Sequence, residues 1–164
     1  MEYMLVRFPG FSGFVCSFVL LLSSSGFSVA QENNSQDAAH ARTLAAEHFA
    51  TERCAVWQKR LNLQDWTISV VVSRASELKP KTLGNIHWDS DKKSAVIRVL
   101  DPADYRMTEE AMMKDIEFTV VHELIHLELS PVLSPFHRDE ANRREEEHAV
   151  NHMAEALLKL DRGQ

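Results

Sequence analysis

Two histidines and a glutamate sit inside a segment that is otherwise built for burial. Residues 116–129 read Ile-Glu-Phe-Thr-Val-Val-His-Glu-Leu-Ile-His-Leu-Glu-Leu, apolar on nearly every side of a helix except the one carrying Thr119, His122, Glu123 and His126. A helix that is apolar almost all round belongs in a core. Ionisable groups buried there are costly unless each finds a partner. His122 and His126 are four residues apart, so a helix stacks them one turn above the other on one face.

A metal ion is an economical partner for such a pair. Two imidazoles at this spacing can hold one Zn²⁺ through nitrogens about 2.0–2.1 Å from the ion. Glu123 then lies beside the position of a zinc-bound water without being a ligand. The ion would bring that water's pKa to about 7, and Glu123 would accept its proton. The competing reading is a pair of core histidines satisfied by ordinary hydrogen bonds.

Catalytic zinc takes three protein ligands plus water. The extended pattern with a glycine and a third histidine is absent, because Leu129 and Val132 occupy those places. The third ligand is sought in the run Arg143-Arg144-Glu145-Glu146-Glu147-His148-Ala149-Val150-Asn151-His152. This run opens a last helix whose apolar stripe is Val150, Met153, Ala154, Leu157 and Leu158. Glu147 continues that inward face, and Glu146 remains a rival. Glu145 and His148 point further away. Asn151, one turn after Glu147, could hydrogen-bond a ligating histidine from behind. The bland reading of Glu145, Glu146 and Glu147 is a solvated helix start that favours the positive end of the helix dipole.

These motifs resemble the gluzincin metallopeptidases: a His-Glu-x-x-His helix, then a helix bearing a glutamate with an amide or carboxylate one turn later. More narrowly, Val121-His122-Glu123-Leu124-Ile125-His126-Leu127 followed by Glu146-Glu147-His148-Ala149-Val150-Asn151 resembles the minimal, phage-type and ImmA/IrrE-like zinc metallopeptidases. The likeness covers roughly residues 61–160. The resemblance implies His122, His126 and Glu147 as zinc ligands and Glu123 as general base. Larger gluzincins carry Asp where this chain has Asn151.

The N-terminus has another character. Arg7 precedes an apolar stretch at 14–22, and small residues end in Ser28-Val29-Ala30-Gln31. This is the order of a secretory signal peptide, residues 1–30, cut after Ala30. The apolar stretch is short for a span of about 20 residues, and the alternative is an uncut anchor. An exported protein, secreted or periplasmic, with no stable membrane association is expected. Residues 31–37 are polar and are expected to be disordered. Loss of 1–30 leaves Cys54 as the single cysteine, so no internal disulfide can form. It is expected to be a buried small apolar group.

The remainder, residues 38–164, suits one domain. A net charge of −6 with no basic stripe argues against nucleic acid as a partner. Residues 36–62 read as a helix with a stripe of Leu44, Ala45, His48, Phe49, Val56, Trp57 and Leu61, His48 being packed in the core. Residues 66–72, 82–88 and 94–100 read as strands, the last two forming a hairpin across a polar turn. Thr108 and Asp139 start the last two helices, and Ser130-Pro131 is expected to end the first of these.

An α+β, zincin-like fold follows: N-terminal helix, small three-stranded sheet, active-site helix, C-terminal helix. By analogy, residues 83–88 form the sheet edge that pairs with extended substrate.

Two functions follow. One is a small exported zinc metallopeptidase acting on a peptide or protein substrate. The other is a non-catalytic zinc-binding module for protein interaction. Glu123 separates them, since a purely structural site has no use for a base beside water. Tyr105, His87, His137 and His148 are candidate transition-state donors. Neither the substrate nor a regulatory partner is named by these residues.

Overall fold

The computed structural model describes residues 26–80, 82–135 and 139–164, with side chains from residue 34 onward. The first 25 residues of the expected signal peptide lie outside the described residues. Three long helices and three strands follow in the order α1 (Gly26–Arg60), β1 (Thr67–Ser73), β2 (Gly84–Asp89), β3 (Ser94–Leu100), α2 (Glu109–Leu133) and α3 (Glu140–Asp161). The α+β arrangement and the element order agree with the sequence reading. No helix among the described residues is long and apolar enough to cross a membrane.

Helix α1 differs from expectation at both its start and its phase. It runs through residues 31–37, where polar composition predicts disorder, and across the expected cut after Ala30. No glycine or proline interrupts residues 31–45, and Ala38, Ala39 and Ala41 are strong helix formers. Once the turns over these alanines exist, extending the helix backward fixes one residue per added hydrogen bond. The buried face of α1 is Ala46, Ala50, Cys54 and Trp57 rather than the larger apolar residues. Leu44 and Val56 are exposed, and so is His48, which is no core residue and instead faces Glu52. Small side chains at 46 and 50 let α1 approach the core closely, which size-weighted periodicity does not register. Cys54 is buried as expected, and burial pushes its thiol up to about 11.

The sheet has the order β1-β3-β2. Strand β3 pairs parallel to β1, with Val70 opposite Ile97, and antiparallel to β2, with Ile86 opposite the same Ile97. The hairpin turn is held by Asp89, whose Oδ1 accepts from the backbone of Asp91 and Lys92, each at 3.1 Å. Ala95, Ile97 and Val99 alternate onto the helix-covered face of β3. Helix α1 lies against β1, and α2 lies against β2 and β3. The approach of β2 to α2 is tight at Gly84. A Cβ there would collide with Thr119 Cγ2 and lie 2.6 Å from the Arg98 carbonyl oxygen. Glycine therefore sets β2 directly beside the histidine face of α2.

Helix α2 starts where the sequence places it. Thr108 Oγ1 accepts from the Ala111 amide at 3.3 Å. Its end does not, for the helix passes through Pro131 to Leu133. Proline cannot donate to the Leu127 carbonyl, but Ser130 Oγ does so at 2.9 Å, and Ser134 N rejoins the helix at Ser130 O. The orphaned acceptor is thus satisfied locally and the helix continues. Asp139 caps α3 as expected, accepting from Asn142 N at 2.7 Å.

One buried carboxylate joins all three helices. Glu117 accepts from Arg53 Nε at 2.6 Å, Trp57 Nε1 at 3.1 Å and Arg162 at 3.0 Å. Asp161 closes the cluster through Arg53 and Arg60. Burial alone would raise the Glu117 pKa, yet these donors outweigh it and hold the carboxyl below its ordinary value. Glu117→Ala should cost about 2–3 kcal/mol, less than a fully buried pair because the arginines are partly solvated. A depressed carboxyl stabilises the fold above the unfolded pKa of about 4.3 and loses that effect as pH falls through the folded value. Urea titrations of parent and variant from about pH 7 down to about pH 3 should therefore converge at the acid end. A constant difference across that range would contradict the role.

Candidate metal centre

The burial of α2 dictates which of its polar groups are matched and which are left open. Glu117 lies on the face toward α1. His122, Glu123 and His126 lie on the face toward β2 and α3, where they line an open groove of about 610 Å³. The groove runs between the β2 edge and the first turns of α3, which contributes Arg143, Glu147 and Asn151.

Three donor groups converge there. His122 Nε2 and His126 Nε2 are 3.0 Å apart. Glu147 Oε2 is 3.3 Å from His122 Nε2, and its Oε1 is 3.5 Å from His126 Nε2. Ligands about 2.0–2.1 Å from a tetrahedral ion stand roughly 3.3 Å apart, so this spacing fits a first-row cation. His122, His126 and Glu147 form the group among the described residues with the spacing to hold one.

The protonation pattern points the same way. His126 Nδ1 lies 3.0 Å from Glu146 Oε1, both side chains being nearly closed to solvent at 11 % and 12 % exposure. With Nδ1 donating to that carboxylate, Nε2 carries a lone pair aimed at His122. Burial, then repulsion from His126, holds the His122 pKa below its ordinary value, against the opposing pull of Glu147 and Asn151. A neutral His122 has one N–H and one lone pair, so its Nε2 either donates across the 3.0 Å gap to His126 or offers a lone pair to a cation. Two lone pairs and a carboxylate facing one another repel unless a cation or shared proton lies between them. The donor set therefore suits zinc on chemistry as well as spacing.

The arrangement separates two neighbours that the sequence left as rivals. Glu147, 54 % exposed, turns into the groove beside both Nε2 atoms, whereas Glu146 backs the His126 ring. Carboxylate, imidazole and ion in line is a recurrent support for a metal-ligating histidine. Asn151 approaches His122, as the sequence reading allowed. It stands close enough to favour the charged ring, but the buried Nδ1 of His122 is left without a hydrogen bond.

Glu123 is buried at the groove wall, next to these groups but outside them. Burial first, and the negative charge of Glu147 second, push its carboxyl up to about 8, with Lys79 opposing the rise. The candidate donors fare less well. Tyr105 donates to Asp115 Oδ2 at 2.8 Å, away from the groove. His87 is exposed on the strand face opposite Ile86 and Trp88. His148 packs against His152 with ring centroids 4.1 Å apart, and His137 lies outside the described residues. Sequence reasoning passed over Lys79 and Arg143, which do line the groove. Arg143 was discoverable, since it is one helical turn before Glu147 and must share its face.

No protein-family model, curated protein or solved structure matches this chain.

Zinc titration of the purified chain should show about one site, lost in His122→Ala/His126→Ala. Glu147→Ala should weaken it by about two powers of ten or more, and Glu146→Ala by about 10–100-fold, as for loss of a residue that orients a ligand. Glu145→Ala should leave it unchanged. A larger loss for Glu146→Ala than for Glu147→Ala would reverse the two roles.

Proposed function

We propose that this chain is a small zinc-dependent metallopeptidase of gluzincin type, hydrolysing peptide bonds in extended segments of peptide or protein substrates. The observation that carries it is the convergence of His122 Nε2, His126 Nε2 and the Glu147 carboxylate beside a buried, separate Glu123. A purely structural zinc site closes all four positions with protein ligands. Here three donors converge, and all three line an open groove. The resemblance of the His122–His126 motif and the Glu147 helix to gluzincins supports the same reading.

Zinc bound by His122, His126 and Glu147 would polarise the peptide carbonyl and bring a water's pKa to about 7. The chain's own residues account for the rest. Glu146 fixes the His126 ring by accepting from Nδ1, leaving Nε2 for coordination. Glu123 stands at the groove wall as the base. Its carboxylate takes a proton from water as the water oxygen bonds to the carbonyl carbon. The same carboxyl then delivers that proton to the amide nitrogen as the C–N bond breaks. A carboxyl held near neutrality by burial suits both halves of this transfer.

Strand β2 would position the substrate. It pairs with β3 on one side only, so its other edge keeps backbone N–H and C=O groups available to an extended peptide. Gly84 brings that edge against Thr119, one turn from the histidines. Export after cleavage of residues 1–30 belongs to this proposal as the cellular setting, and N-terminal sequencing of the mature chain tests it.

The chemical test is Glu123→Gln, which keeps the side chain's shape and removes the base. This variant should fold and bind zinc as the parent does, and lose about 10²–10⁴-fold in hydrolysis of an unstructured peptide library. Chelator should abolish the parent's activity and added zinc restore it. A parent that binds zinc yet cleaves nothing would favour a non-catalytic interaction module.

A further inference from the structure

Two cations stand at the groove outside any ion pair. Lys79 lies in the segment leading into β2, on the side of Glu123. Arg143 lies on the first turn of α3, one turn before Glu147, on the opposite wall. Most basic groups elsewhere are engaged: Arg53, Arg60, Arg74, Lys92, Lys114 and Arg162 each contact a carboxylate. Among the described residues, neither Lys79 nor Arg143 enters an ion pair, and Glu147, one turn after Arg143, turns to the histidines instead.

The groove is therefore less acidic than the chain as a whole. The chain as a whole carries a net charge of −6. Lys79 and Arg143 balance Glu123 and Glu147 even if both carboxyls are ionised, and with Glu146 behind His126 also counted a divalent ion would leave the site net positive by about one charge. A positive concavity on an acidic protein concentrates anions. Arginine offers a planar fork matched to a carboxylate, and lysine a compact point charge.

We propose that the groove selects peptide segments bearing a carboxylate, which Lys79 and Arg143 hold while the backbone lies along β2. The carboxylate is an acidic side chain or a free C-terminus, the two sources sharing one chemistry. This rests on the metallopeptidase reading and specifies its substrate class.

The test is binding, measured by fluorescence anisotropy with zinc-loaded Glu123→Gln protein, so that no turnover intervenes. Three labelled decapeptides of one neutral sequence are compared: one with two internal Glu and an amidated C-terminus, one with a free C-terminal carboxylate and no Glu, and one with neither. At least one carboxylate peptide should bind about tenfold tighter than the neutral amide, and raising salt from about 0.05 to about 0.5 M should erase the difference. Preference for the first identifies acidic side chains; preference for the second identifies the C-terminus.

Adding Lys79→Met or Arg143→Met should weaken the preferred peptide by about three- to tenfold and leave the neutral one unchanged. Conservative Arg143→Lys should recover part of the loss. Equal binding of all three peptides, no binding of any, or equal losses for neutral and acidic peptides in the variants would overturn the inference. Failure of the metallopeptidase reading shows separately, as a parent chain that takes up no zinc or hydrolyses none of the three.

Discussion

The burial of α2 is the constraint on which the rest of this structure depends. Lys114 and Glu128 of α2 reach solvent, but where β2, β3, α1 and α3 cover the helix a polar group must be matched by the neighbour it meets. Glu117 is matched within the chain, by Trp57, Arg53 and Arg162. On the other face the matching stops short. His126 has Glu146 behind it, but the two Nε2 atoms face each other, His122 Nδ1 has no hydrogen bond, and Glu123 is buried beside them. One helix thus carries a polar group matched within the chain and, about a turn and a half later, a cluster in which three donor groups turn toward one another.

How much of this was legible in the sequence depends on how local each signal is. The caps at Thr108 and Asp139 were readable because a cap needs only a short polar side chain and the amides that follow it. The His122-Glu123-His126 face was readable because i and i+4 are neighbours in any helix. Continuation of α2 through Pro131 was not, because it turns on Ser130 reaching back to the Leu127 carbonyl. Nor was the phase of α1. Its stripe was assigned to large apolar side chains, whereas close approach to the core selects Ala46 and Ala50. The Glu117 cluster gathers residues far apart in the chain, Arg53 on one side and Arg162 on the other, and no periodicity reports such a meeting. Parallel pairing of β1 with β3 is equally non-local, since the hairpin predicts only the antiparallel half of the sheet.

Glu146 and Glu147 show where helical phase reasoning reaches its limit. Adjacent residues are about 100° apart on a helix, and both can face a partner that lies between them. Periodicity asks which of the two points inward, and the answer is that both do, toward different atoms of the same ring pair. Glu146 meets the outer nitrogen of His126 and Glu147 the inner nitrogens. The two carboxylates divide one ring pair between them: Glu146, nearly closed to solvent, backs His126 Nδ1, and the more exposed Glu147 faces both Nε2 atoms. Only the three-dimensional crossing of α2 and α3 divides the roles.

If the groove takes extended peptide, as proposed, its openness restricts the ways in which selectivity can arise. Its walls are one strand edge and one helix start, without a second lobe beyond them among the described residues. Deep, enclosing pockets that discriminate by shape need such a lobe. An open groove retains two means of discrimination: the directional backbone pairing of an edge strand, and charge. The first accepts nearly any extended sequence, because it uses groups every residue carries. The second depends on Lys79 and Arg143, whose charges act through water over about a Debye length. Selectivity built this way is weaker than that of a shaped pocket and sensitive to ionic strength. It also requires little structure, and α2 is supported by only a small sheet and its two neighbouring helices.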